Sequence, residues 1–300
     1  MMSKEFKQKL TAYGLVIPAF LVVMMTVAYP ILSAVIQSFQ DEKTGEFTLD
    51  NYLYFFTEPM QIRNILYTLF VVLMTVVIAY KAWKALCPYK KDNQQVAIHI
   101  EKHIPIAAGL AGGSTDCAAV LRGLNRLWGL GLSEKELCRI GAGLGADVPF
   151  CICGGTMRGT GIGEELKRLP PLPAWPVVIV HPRVPVQTKQ AYALFDSRSH
   201  TAPVAVDAVE QAVRAGDFQG LTVAMRNTFE ELVIPNVPQV ADCQQRLTAL
   251  GLQPLMAGSG PTVFALVPPG QEEAVRSQTA AWHDVDVYMT AIVKRVEGER

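Results

Sequence analysis

Apolar and polar positions divide the chain into two unlike stretches. No charged residue occurs from Leu10 to Gln40, and none from Asn64 to Tyr80. The first run holds L-V-I-P-A-F-L-V-V-M-M-T-V-A-Y-P-I-L, long enough for a ~30 Å hydrocarbon core, which takes about 20 residues. The second sits at the ~17-residue lower bound for a span. The two runs predict transmembrane helices at about 11–39 and 64–80, with Pro18 and Pro30 kinking or ending the first. A cleaved leader is excluded, because the first run exceeds the usual ~7–15-residue core and no A-x-A site follows it. Beyond Tyr80 the pattern shortens. V-A-I-H-I-E, Val96 to Glu101, alternates and predicts a strand. Ala118, Leu121, Leu124 and Trp128 follow at helical steps, with Ser114 or Thr115 as the expected N-cap. A second helix starts at Ser133, whose S-E-K-E is a capping box with Glu136, and closes at Gly145. The chain ends on a strand to Val267, a helix over Gln271–Trp282 and a strand over Val285–Val296. That is a βαβ-like close to an α+β layer.

Charge narrows the function classes. The 300 residues carry 27 Lys+Arg against 27 Asp+Glu, so a general polyanion or nucleic-acid binder is excluded, since such affinity rests on basic charge. At 50% hydrophobic residues, disorder is excluded for most of the chain. Lys4, Lys7 and Lys9 precede the first run, only Lys43 and Arg63 lie between the runs, and Lys81, Lys84, Lys90 and Lys91 follow the second. By the positive-inside rule both ends face the cytoplasm, with residues 41–63 outside. Six cysteines without a disulfide-rich spacing fit a reducing compartment. Cys151 and Cys153 form C-x-C, which we read as two buried thiols rather than a metal site.

The chemistry concentrates in P-I-A-A-G-L-A-G-G-S-T-D, Pro105 to Asp116. Gly109, Gly112 and Gly113 allow close backbone approach to a ligand, and the loop opens a helix. Free N–H groups and the helix dipole there favour phosphate. On the residues alone a plain strand–loop–helix turn fits as well, and no G-K-[ST] follows to make it a Walker loop. Asp147, in G-A-D-V-P-F, is either a turn cap or a proton acceptor held beside the loop. Gly258-Ser259-Gly260 read alone is a turn before a strand.

Taken together these motifs are specific. The run I-H-I-E-K-H-I-P-I-A-A-G-L-A-G-G-S-T-D, then L-R-G-L-N-R-L-W-G-L-G-L-S, G-A-D-V-P-F and G-S-G-P-T-V-F resembles the GHMP kinases. Among them it resembles those acting on 4-diphosphocytidyl-2-C-methyl-D-erythritol, over residues 81–300. The resemblance implies transfer of the ATP γ-phosphate to a hydroxyl of that substrate. It implies an ATP-phosphate loop made of Pro105, Ile106, Ala107, Ala108, Gly109, Leu110, Ala111, Gly112, Gly113, Ser114 and Thr115, with Mg²⁺ near Ser114 or Thr115. It also implies a catalytic Asp147 and a glycine-rich third motif, Gly258, Ser259 and Gly260, lying against nucleotide and substrate. Thr188 in V-Q-T-K-Q-A-Y is a further substrate contact.

Residues 8–80 resemble instead the start of a sugar ABC transporter permease, through A-Y-P-I-L-S-A-V-I-Q-S-F, F-T-L-D-N-Y-L-Y-F-F and N-I-L-Y-T-L-F-V-V. The expected organisation is a two-helix membrane segment (1–80) with bilayer contact through residues 11–80, a partial kinase N-terminal domain (81–165) and a ferredoxin-like C-terminal domain (166–300). The fold class is thus α+β, a truncated GHMP-kinase fold. The family's Lys-x-Asn-Leu strand and Gly-Tyr-His segment have no counterpart here, which implies impaired turnover. The alternatives are a non-catalytic, membrane-anchored ATP-binding module and a chimeric gene product. Transport is excluded, because two helices cannot enclose a pathway.

Overall fold

The structure, a computed structural model, describes residues 29–41, 44–49, 59–91, 95–184, 186, 192–193, 195–196 and 206–293. The backbone divides into two compact units, residues 1–72 and 73–300. In the first, helix α1 (Tyr29–Ser38) runs into a tight reversal. A bridge between Gln40 and Phe47 closes that reversal, and the Phe39 and Phe47 rings stack 5.8 Å apart.

Helix α2 (Pro59–Leu86) contains the second apolar run. Among the described residues no helix is long and apolar enough to cross a membrane, so the span expected at 64–80 is not found. α2 does not stop at the end of the run: it continues through Lys81 and Lys84, and Ala79, Ala82 and Leu86 at its far end enter a protein core, while Leu66, Leu69, Val72, Leu73 and Val76 within the run are exposed. The span expected at 11–39 falls mostly outside the described residues. The bilayer contact expected through residues 11–80 therefore has no spanning helix to carry it among the residues described.

In the second unit, α2 packs on α3 (Gly112–Leu127), α4 (Glu134–Ala142) and α5 (Val148–Cys153). Cys117, Ala118, Leu121 and Leu124 of α3, Leu137 of α4, and Val148 and Ile152 of α5 form the shared core. Ala118, Leu121 and Leu124 are the apolar steps the periodicity predicts for α3. The capping box at the start of α4 forms as expected. Ser133 Oγ accepts from the Glu136 amide at 3.3 Å and the Ser133 amide donates to Glu136 Oε2 at 2.8 Å. Val96–Glu101 departs from expectation, because it takes no strand assignment. Val96 and Ile100 pack against the helical core, but no described segment lies beside them to complete a ladder. Alternation alone makes no strand without hydrogen-bond partners.

The remainder is a hairpin and a sheet. β1 (Met157–Thr160) and β2 (Glu165–Arg168) pair antiparallel. Four strands then form one antiparallel sheet in the order β4-β5-β3-β6, namely β4 (Pro254–Met256), β5 (Val263–Leu266), β3 (Pro176–His181) and β6 (Asp286–Ala291). β5 and β6 both run against β3, with helix α10 (Glu272–Thr279) between them in sequence. The βαβ-like close predicted from the pattern is therefore split around β3. Val178 and Val180 point to one face, which α9 (Pro238–Ala249) and α10 cover with Val240, Cys243, Leu247 and Val275. Leu266 and Val177 point to the other, where α6 (Val206–Ala215) and α7 (Phe218–Ala224) contribute Ala212, Val213 and Leu221. Alternate strand residues thus fill two separate cores. Removing the fully buried Leu247 side chain would cost about 2–5 kcal/mol.

Glu210 of α6 ties the hairpin to this layer. Its carboxylate accepts from Arg214 (2.7 Å), Arg158 (2.9 Å) and Lys167 (3.2 Å). These partners, Arg214 foremost, hold its pKa down at about 2 against an ordinary 4.5. A depressed carboxylate contributes stability that is present above the unfolded pKa and lost as pH falls through the folded one. Thermal melts should therefore show stability falling between pH 4.5 and 2. In Glu210→Gln that part of the acid dependence should be missing, and the variant should already be less stable at neutral pH.

Candidate functional site

The loop before α3 is built on backbone conformations that ordinary residues avoid. Ala107 and Ala111 take φ of 54° and 51°, and Gly109 takes 74°. The left-handed turn at Ala111 starts α3 at Gly112, earlier than the Ser114 or Thr115 cap expected, and no side chain caps it. Thr115 Oγ1 instead returns a bond to the Ala111 carbonyl at 3.1 Å. The first amides of α3, at Gly112, Gly113 and Ser114, precede the first helical bond, Thr115 N–H to Ala111 O at 2.9 Å. They form the open end of a helix dipole. Lys102 lies beside this end. Its ammonium is 3.7 Å from where a Cβ on Gly112 would stand and bonds Asp116 at 2.5 Å.

The third glycine motif meets this loop directly. A Cβ on Gly109 would stand 2.3 Å from the Ala257 carbonyl oxygen and 2.8 Å from that of Gly260. A Cβ on Gly258, whose φ is 53°, would stand 3.0 Å from the Gly109 carbonyl oxygen. The Thr262 amide points to the Ala108 carbonyl at 3.4 Å, and the Ala257 amide closes the turn on the Thr262 carbonyl at 2.8 Å. Thr262 is fully buried, and its hydroxyl lies 3.1 Å from Nδ1 of buried His181. Burial lowers the His181 pKa, with Asp286 opposing and Arg183 adding to the effect. The imidazole is therefore held neutral more firmly than in water.

Asp147 occupies the cap position of α5 but makes no capping bond through its side chain, which is exposed. The structure thus gives no support to the turn-cap reading. Its turn adjoins the start of α3. Ser114 Oγ lies 4.0 Å from where a Cβ on Gly145 would stand, and Thr115 Oγ1 lies 3.7 Å from Cys151 Sγ. Burial pushes the thiol of Cys117 up to about 11 and that of Cys153 up to about 12, and raises Cys151 as well. These are protonated thiols at neutral pH, poor as nucleophiles or metal ligands. Among the described residues no cluster of His, Cys, Asp or Glu could hold a metal ion by itself. A site for Mg²⁺ would thus have to draw on ligand phosphates.

The structure therefore brings together the loop over Pro105–Thr115, the Gly258–Gly260 motif and the Asp147 turn. Thr188 lies outside the described residues. Sequence reasoning missed Lys102, His181 and Thr262. Only Lys102, a basic residue just before the glycine loop, carried a local signal.

A glycine loop at a helix start with a second glycine turn pressed against it is an arrangement suited to a phosphate-bearing ligand. The family pattern of GHMP kinases N terminal domain matches residues 77–155, and that of GHMP kinases C terminal matches residues 209–283. The chain belongs to the GHMP kinases. A Synechococcus sp. relative named 4-diphosphocytidyl-2-C-methyl-D-erythritol kinase is 43% identical over 226 residues, covering 71% of this chain and 73% of its own. Relatives of the same name from Bacillus cytotoxicus and Enterococcus faecalis are 44% and 46% identical, covering 63% and 58% of this chain. The chain spans just under two thirds of these two, 66% and 62% of their lengths. A crystal structure of 4-(cytidine 5'-diphospho)-2C-methyl-D-erythritol kinase matches with TM-score 0.61 at 31% identity, covering 71% of this chain and 77% of that one.

Gly109→Ala tests the loop contact. It adds a methyl against backbone at a left-handed position, whereas Gly129→Ala adds one at φ 57° into open space. Urea titration should show Gly129→Ala costing about 1–2 kcal/mol from conformation alone. Gly109→Ala should cost clearly more, because the methyl meets carbonyl oxygens that cannot rotate away.

Proposed function

We propose that this chain binds Mg·ATP at the α3 start and carries the phosphoryl-transfer centre of a 4-diphosphocytidyl-2-C-methyl-D-erythritol kinase. One observation supports this most directly: the Gly258–Gly260 turn meets Gly109 in the loop that leads into α3, while Ser114 Oγ at the start of α3 faces the turn at Gly145. The open amides of Gly112, Gly113 and Ser114, the helix dipole and the Lys102 ammonium suit a polyphosphate. The bare backbone at Gly109 admits the Gly258–Gly260 turn beside the loop, and Gly112 faces Ile104 and the Lys102 ammonium.

Within this reading Ser114, rather than Thr115, is the hydroxyl beside the metal. The Thr115 hydroxyl is already bonded to the Ala111 carbonyl, whereas Ser114 Oγ faces the turn that carries Asp147. When bound, Mg²⁺ neutralises charge on the phosphates. The loop amides orient the phosphates and stabilise charge that develops on the transferred group. Asp147, exposed at the head of α5, accepts the proton of the substrate hydroxyl as that oxygen attacks. The Gly258–Gly260 turn closes the other side and limits where substrate can lie. The family's Lys-x-Asn-Leu and Gly-Tyr-His runs occur nowhere in the sequence, so turnover should fall below that of relatives that have them.

Asp147→Asn separates binding from chemistry. Calorimetry should give an Mg·ATP affinity within a few-fold of the unsubstituted chain. A coupled assay with the cytidylyl substrate should show phosphate transfer reduced by about 10²–10⁴-fold, the usual contribution of a general base. Equal transfer in both proteins would remove Asp147 from the reaction.

A further inference from the structure

Gly258 is pressed on Gly109 by something outside both loops, and the hydrogen bonds identify it. Asn227, between α7 and helix α8 (Glu230–Val233), donates from Nδ2 to the Met256 carbonyl and to the Gly258 carbonyl, each at 2.7 Å. Its Oδ1 accepts from the Phe229 amide at 2.9 Å. The orientation of the amide is forced by this set. A flip would face oxygen to two carbonyl oxygens and nitrogen to an N–H. Three residues on, Glu230 Oε1 accepts from the Met256 amide and from Gln244 Nε2, both at 2.7 Å. The N-T-F-E segment thus grips Met256 by both its N–H and its C=O.

We propose that Asn227 is a positioning residue for the nucleotide site, acting through the Gly258 carbonyl. By spanning Met256 and Gly258 it sets the pitch of the turn that enters the Gly109 backbone. The shape of the phosphate loop therefore depends on an amide that touches no ligand. The functional part of this inference rests on the kinase reading above. The structural part, that Asn227 holds the two loops in register, does not.

Asn227→Asp is the sharpest variant. It is nearly isosteric and still accepts from the Phe229 amide, but it replaces two donated bonds with two oxygen–oxygen contacts. Hydrogen exchange followed by NMR should show the Gly260 and Thr262 amides opening about 5–30-fold more readily, the equivalent of one or two hydrogen bonds. The Mg·ATP dissociation constant should rise by a similar factor. Asn227→Ser, which keeps a single donor, should fall between and serves if the Asp variant does not fold. Asn236→Ala, which loses only a bond to the Leu232 carbonyl, controls for general loosening and should leave both readouts unchanged. Unchanged exchange at Gly260 and Thr262 in Asn227→Asp, or an equal change in Asn236→Ala, would overturn the proposal. If the unsubstituted chain fails to bind Mg·ATP, the kinase reading falls, and the exchange measurement still decides the role of Asn227.

Discussion

Everything at the site depends on the approach of two stretches of bare main chain. Gly109 and Gly258 lie so close that a methyl on either would meet a carbonyl oxygen of the other loop at 3.0 Å or less. Van der Waals contact at that range is repulsive for any side chain, so the contact exists only because both positions lack one. One loop belongs to the helical layer that begins with the end of α2. The other belongs to the four-stranded sheet. Their meeting joins two separately packed cores at the loop that leads into α3.

The helical layer is the less complete half. Its four helices bury a continuous core, but the extended segment at Val96–Glu101 rests on them with no described strand beside it. The sheet half closes on itself. β3 is flanked on both sides, and helices on each face use alternate residues of the same strands. The turn at Gly258 is accordingly held from below by buried Thr262 and His181 and half-buried Glu230, and the glycine loop before α3 rests on that turn. Neutral His181 fits this division, because a charge there would lie among buried neighbours.

Much of this was legible in the sequence. The capping box at Ser133, the apolar steps of α3 and the strand–helix–strand order of the chain's end follow from periodicity and turn chemistry alone, whereas the insertion of β3 between the last two strands does not. The glycines of the loop before α3 stood out by composition. What could not be read depends on distant partners. Val96–Glu101 alternates like a strand, yet strand formation needs a neighbour that no local pattern supplies. The run at 64–80 has the composition of a span, yet the helix that carries it runs on through Lys81 and Lys84 and buries Ala79, Ala82 and Leu86 at its end against other helices. Ala111 starts α3 in a conformation that favours glycine, so the expected caps at Ser114 and Thr115 fell one turn late. Asn227 looks like any loop asparagine until Met256 and Gly258, some thirty residues on, are placed over it.

The seam between Gly109 and Gly258 has a consequence for how such a chain can vary. Because it is written in main-chain atoms, it is indifferent to the identity of most residues around it, and substitutions in either core can accumulate without disturbing it. It is intolerant of the gain of a single carbon at its narrowest point, and it leans on the one side-chain amide, Asn227, that spans Met256 and Gly258. The fragility of the arrangement is therefore concentrated in two residues without side chains and one that reaches them from outside.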